Sequence, residues 1–149
     1  MSGMEEILRR IPHRPPFLFV DEIVEMDLTR ALCRRTLRPD EAFFQGHYPG
    51  NPITPGVLLC EAVFQAGALL LVDRLIAAGV SLKEKTPVLI RIQDARFKRM
   101  VKPGDTVEIE AIFKEEVKGF QFLHGSIKKD GKVALAIDFV LALYDEAGA

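Results

Sequence analysis

One stretch of the chain, PGVLLCEAVFQAGALLLVDRLIAAG at residues 55–79, decides most of what it can become. The segment is rich in helix formers and poor in β-branched residues. Thr54 is placed to cap its N-terminus, Pro55 suits the first helical position, and Gly79 suits the exit. The resulting helix is apolar nearly all round, so it must either lie buried in a core or span a membrane. A span needs about 20 mainly apolar residues. Here Glu61 and Gln65 interrupt the run, and Asp73 and Arg74 close it. The expectation is a buried helix with other elements wrapped around it, and no membrane span.

What can wrap around it is legible on either side. MEEILRR reads as a short amphipathic helix ended by Pro12. FLFVDEIVEMDL (17–28) and RALCRRTL (30–37) read as a β-hairpin turning near Asp27–Thr29. After the long helix come four strand-like segments: PVLIRIQDARF, DTVEIEAIFKEE, FQFLHGSIKK and KVALAIDFVLALY, with KPGD and KDGK as turn signals. One long helix among about six strands predicts an α+β fold, the strands mainly antiparallel. The 149 residues show no repeat or linker and fit a single domain over 1–149. A net charge of −1 gives no field to attract nucleic acid or an anionic membrane. Cys33 and Cys60 lack metal-site spacing, and the start MSGMEEILRR lacks a signal-peptide core. Reduced thiols and a cytoplasmic location are the expectation.

Immediately before the helix lies FFQGHYPGNPITPG (43–56), with prolines at 49, 52 and 55 and a single histidine, His47. If the helix starts at Pro55, the amides of Gly56 and Val57 have no intrahelical acceptor and carry the positive end of the helix dipole. A bare glycine at 56 lets a ligand approach closely. Glu61 and Gln65, four apart, share a helix face. A carboxyl on a buried helix resists ionisation and can serve as an acid, while an imidazole serves as a base. Base, acid and oxyanion donor together suit proton abstraction beside a carbonyl coupled to loss of a hydroxyl. Singly, each has a structural reading: a loop histidine, a satisfied polar residue, a polyproline segment for a partner. Their concentration between His47 and Gln65 leaves both readings open.

GHYPGNPITPGVLLCEAVFQ resembles the active-site motif of the β-hydroxyacyl-acyl-carrier-protein dehydratases of bacterial type II fatty acid synthesis, the FabZ type. IPHRPPFLFVDEI, ARFKRMVKPGDTVEI and DGKVALAIDFVLALYD resemble further parts of that family, so nearly the whole chain is covered. The resemblance implies a hot-dog fold, an antiparallel sheet curled around one long helix. It implies a homodimer whose two sheets join, often assembled further into hexamers. His47 would be the catalytic base and Glu61 the acid, meeting across the dimer interface. Gly56 would polarise the thioester carbonyl and Gln65 would support the carboxylate. The implied reaction is loss of water from a (3R)-3-hydroxyacyl thioester to give the trans-2-enoyl product. Neither metal nor redox cofactor is implied. The substrate would arrive on the 4′-phosphopantetheine arm of an acyl carrier protein.

The departures from the family pattern are few. Tyr48 replaces the usual phenylalanine, Asp94 a common lysine, and Met100 a frequent proline. Glu61 in place of aspartate favours the simple dehydratase over the related dehydratase-isomerase. His13 and Arg14 match the N-terminal signature and are expected to be structural. His124 reads as a strand histidine and Cys60 as packing. Arg96, Lys98 and Arg99 are candidate contacts for the acidic carrier protein, with Arg96 and Lys98 on one strand face and Phe97 on the other. The rivals are a hot-dog thioesterase, which would release free thiol, and a non-catalytic acyl-binding scaffold.

Overall fold

The long helix, α3 (Gly56–Ala77), runs through the middle of the molecule, and the apolar residues from Leu59 to Val72 bury almost continuously. It is long and apolar enough to cross a membrane, yet most of it is enclosed by the rest of the fold. The computed structural model describes residues 3–83 and 85–145. At its C-terminal end Gly79 adopts a left-handed φ of 79°, and the amides of Gly79 and Val80 return to the carbonyls of Ile76 and Leu75. That is the glycine exit expected from the sequence. The N-terminal expectation needs correcting. Pro55 has an extended ψ of 132° and is itself the capping residue, so the helix starts at Gly56. The Pro55 carbonyl accepts from the amides of Leu58 and Leu59 at 3.0 and 3.2 Å. Thr54 instead donates its amide to the Val101 carbonyl at 2.7 Å, and its hydroxyl is buried without a partner among the described residues.

Six strands form one antiparallel sheet around α3: β1 (Glu22–Met26), β2 (Arg30–Thr36), β3 (Lys85–Phe97), β4 (Thr106–Val117), β5 (Phe120–Lys129) and β6 (Lys132–Asp145). Their order across the sheet is β1-β2-β4-β5-β6-β3, every neighbouring pair antiparallel. Alternation turns Ala31 and Cys33 of β2, and Val107, Ile109 and Ala111 of β4, into the core. Register shifts between Phe113 and Glu115, and at two places along β3, bend the sheet so that five of its strands touch α3. Two hairpins close on left-handed pairs, Lys118–Gly119 and Asp130–Gly131, which match strand twist.

The first hairpin strand is shorter than expected. Residues 17–20 run outside the sheet because the Phe17 carbonyl and Phe19 amide bond the Gln65 side chain and the Leu18 carbonyl bonds Arg35. The helix α1 (Gly3–Arg10) forms as expected, buries Ile7, and ties Arg10 to Asp73 of α3 at 2.8 Å. A four-residue helix, α2 (Phe43–Gly46), opens the proline-rich loop.

Helix and sheet meet most closely at glycines. A Cβ on Gly125 of β5 would lie 2.1 Å from Val63 Cγ1, and one on Gly67 would lie 2.9 Å from the Phe139 ring. Gly125→Ala is therefore expected to lower unfolding free energy by about 1–3 kcal/mol, the usual cost of overpacking. A denaturant midpoint unchanged from the parent would show that the helix can shift to make room.

Candidate active site

The loop after α2 is built to hold His47. Phe44 is buried, anchoring α2, and the His47 amide donates to the Phe43 carbonyl at 3.0 Å. The chain reverses at Tyr48, which takes a left-handed φ of 62°, and returns so that Ile53 sits opposite His47. Prolines 49, 52 and 55 limit the backbone freedom of this excursion. His47 Nδ1 lies 2.9 Å from the Ile53 carbonyl oxygen. A carbonyl only accepts, so Nδ1 carries the hydrogen, and in the neutral ring the lone pair is on Nε2. The Tyr48 ring stacks on the imidazole at 4.3 Å between centroids. The result is an oriented imidazole whose Nε2 has no partner among the described residues.

Glu61 stands on the first turns of α3, its side chain 22% exposed and so less enclosed than the apolar helix led one to expect. Its Oε2 accepts a hydrogen bond from Gln65 Nε2 at 3.0 Å. Gln65 is fully buried, with Nε2 also donating to the Phe17 carbonyl at 3.1 Å and Oε1 accepting from the Phe19 amide at 2.7 Å. This fixes which way round its amide lies. His13 Nε2 sits 3.5 Å from the same Glu61 Oε2. Glu61 Oε1 has no partner among the described residues.

His13 was read from the sequence as a structural residue of the IPHR segment, and its position beside Glu61 was missed. Its only signal was membership in that motif. Burial holds the His13 pKa below its ordinary 6.5, with Glu61 opposing the shift and Arg14 adding to it. The unfolded chain therefore takes up this proton at a higher pH than the folded one does. Stability should fall as pH drops below about 6.5. His13→Gln should flatten that part of an acid-unfolding series, and an unaltered slope would contradict it.

Gly56 is not bare in the way the sequence implied. A Cβ there would lie 2.8 Å from Phe97 Cε1, so the missing side chain makes room for that ring against the helix start. The amides of Gly56 and Val57 have no backbone acceptor among the described residues. Within one chain no hydrogen bond or ion pair joins His47 to Glu61 among the described residues.

The three basic docking candidates separate. Arg96 is bound bidentately by Asp94, at 3.2 and 2.9 Å. Asp94 has a φ of 51° at an irregularity of β3. Lys98 and Arg99 follow the strand and line an open cleft of about 410 Å³ with Met100, Lys129, Asp130 and Lys132. Lys129 is paired to Asp105 at 2.7 Å, leaving Lys98, Arg99 and Lys132 as the cations there without an ion pair among the described residues. Cys33 and Cys60 are free and buried, and burial pushes the Cys33 thiol up to about 12. His124 pairs with Asp138 across β5 and β6. No group of three His, Cys, Asp or Glu residues able to hold a metal occurs among the described residues.

An antiparallel sheet curled around one long helix is the hot-dog fold. The chain belongs to the FabA-like domain family, whose model matches residues 11–138. A 3-hydroxyacyl-[acyl-carrier-protein] dehydratase FabZ of Chloroflexus aggregans is 46% identical over 114 residues, 74% of each chain. The FabZ dehydratase of Clostridium perfringens is 36% identical over 96% of this chain and 99% of its own. Among solved structures, a chain of the dehydratase heterocomplex ApeI:P from Xenorhabdus doucetiae superposes with a TM-score of 0.78, covering 95% of this chain and 92% of that one. At 14% identity that likeness speaks for the fold.

Proposed function

We propose that the protein is a (3R)-3-hydroxyacyl-[acyl-carrier-protein] dehydratase, a hydro-lyase of fatty acid biosynthesis, acting through His47 and Glu61. The observation that carries this reading is the pair of unengaged atoms, His47 Nε2 and Glu61 Oε1, each on a side chain whose other polar atom is fixed. His47 Nε2 removes the proton from C2 of the substrate. Charge developing on the thioester oxygen is met by the amides at the start of α3, Gly56 foremost. Glu61 gives its proton to the C3 hydroxyl as the C3–O bond breaks, releasing water and the trans-2-enoyl thioester. Return of the proton from His47 to Glu61 restores the starting state. Gln65 holds the carboxyl in place throughout. A thioesterase is not favoured, since the similar curated proteins are dehydratases.

The reading includes a homodimer of single-domain chains, its two sites each taking His47 from one subunit and Glu61 from the other. Two features support it. Among the described residues no hydrogen bond or ion pair joins His47 to Glu61 within a chain, and β3 is an edge strand exposing Leu89, Ile90, Ile92 and Phe97. Such an edge invites pairing with a second copy. A cytoplasmic location fits the two free buried thiols.

The carrier protein, which is acidic, docks on the basic cleft. Lys98 and Arg99 carry this contact with Lys132 beside them, while Asp94 neutralises Arg96. Lys98→Glu with Arg99→Glu should raise KM for a carrier-linked substrate several-fold and spare a small pantetheine thioester. Equal loss on both substrates would count against docking here. The activity itself is tested by offering a 3-hydroxyacyl-carrier protein and following enoyl absorbance: its appearance supports the proposal, and its absence in folded enzyme refutes it.

A further inference from the structure

Glu61 has two oxygens, and the fold treats them differently. Gln65 and His13 both converge on Oε2, while Oε1 is left without a partner among the described residues. Gln65 cannot turn away, because its amide is spanned between Phe17 and Phe19. His13 is held almost as firmly. The Arg14 guanidinium bonds the carbonyls of Leu8, Ile11 and His13 at 2.7–3.1 Å, fixing the backbone on both sides of the imidazole. His13 Nδ1 is buried without a partner among the described residues. A hydrogen on Nδ1 would be an unmet buried donor, and the lone pair on Nε2 would then face the carboxyl oxygen. The less costly tautomer puts the hydrogen on Nε2, pointing at Glu61 Oε2.

We propose that His13 is a positioning residue for the dehydration, acting through Glu61: with Gln65 it reserves Oε2 as a hydrogen-bond acceptor, so that the transferable proton resides on Oε1. The inference rests on the dehydratase reading of the site. Its chemistry is direct. A carboxylic acid that can rotate through half a turn presents its proton to the substrate only part of the time. One donor bonded to that oxygen at 3.0 Å, and a second facing it from 3.5 Å, remove that ambiguity without touching the substrate. Loss of His13 should therefore lower kcat and leave KM nearly unchanged, the pattern of an interaction that matters only in the transition state.

The test compares His13→Leu with His13→Gln, whose amide nitrogen can reach the position of the imidazole Nε2. Steady-state kinetics on a 3-hydroxyacyl-carrier protein would be read beside thermal unfolding of each variant. His13→Leu should lose roughly 10–100-fold in kcat, within the range that misplaced catalytic groups cost. His13→Gln should stay within a few-fold of the parent. Adding His13→Leu to Glu61→Gln should cost nothing further, because the residue acts through that carboxyl. If the leucine variant does not fold, His13→Asn, whose amide is too short to reach Oε2, takes its place with the same expected loss. Equal kcat loss in the glutamine and leucine (or asparagine) variants would reduce His13 to packing and overturn the proposal, as would parental kcat in the variant lacking the donor. An inactive parent enzyme would instead sink the dehydratase reading, so the two failures are distinguishable.

Discussion

Glu61→Gln is expected to lose most turnover, about 10²–10⁴-fold in kcat, while its fold and substrate affinity survive. Glutamine matches glutamate in shape, and the contact with Gln65 can re-form with its carbonyl oxygen as acceptor. What disappears is the proton that leaves with the hydroxyl. His47→Ala should be at least as damaging, since no other histidine is held in that loop, and the double variant should be scarcely worse than the worse single one. The same two variants also test where the site lies. If each site takes His47 from one subunit and Glu61 from the other, a heterodimer of His47→Ala and Glu61→Gln chains contains one intact site. Random mixing then restores about a quarter of parental activity, one site in half of the dimers. No recovery in a mixture that exchanges subunits would place base and acid in the same chain. Near-normal turnover by Glu61→Gln alone would remove the acid from the mechanism.

The second large effect concerns stability. Arg35 of β2 is almost wholly buried, its side chain 4% exposed, and it pairs with Glu41, whose side chain is 8% exposed. The same guanidinium donates to the Leu18 carbonyl at 3.2 Å, approaches Asp21 at 3.4 Å and lies over the Phe19 ring. It thus ties the segment that clamps Gln65 to the segment that leads into α2 and His47. Arg35→Met would leave Glu41 buried without its counter-charge, which typically costs about 3–5 kcal/mol. For a domain of this size that amounts to a fall in Tm on the order of 10 °C. Adding Glu41→Gln should recover part of the loss by removing the stranded charge. A single-variant loss below about 1 kcal/mol would show that water reaches the pair.

Much of the architecture could be read from local pattern. The apolar run at 55–79 demanded a buried helix, the alternating segments after it demanded strands, and Gly79 and Asp130–Gly131 marked an exit and a turn. What was misread depended on contacts distant in sequence. FLFVD looks like the start of a strand, but Phe17–Phe19 spend their backbone groups on Gln65, 46–48 residues away. Thr54 looks like a cap, but Val101 claims its backbone and Pro55 caps in its place. Gly56 carries no side chain where Phe97, from the edge strand, stands against the helix start, a contact its own neighbourhood does not show. The site divides in the same way. His47, Glu61 and Gln65 lie within nineteen consecutive positions, where type and spacing left two readings open and the resemblance to the dehydratase motif singled them out. His13 reaches Glu61 only through the fold, and Arg96 loses its apparent freedom only once Asp94 folds back on it.

The central claim is that this site eliminates water and leaves the thioester intact. A single reaction decides it: purified protein with a 3-hydroxyacyl-carrier protein, enoyl absorbance and free thiol being followed together. The dehydratase predicts a rise in enoyl absorbance with no thiol released. Thiol release without enoyl formation would contradict it and make the protein a thioesterase.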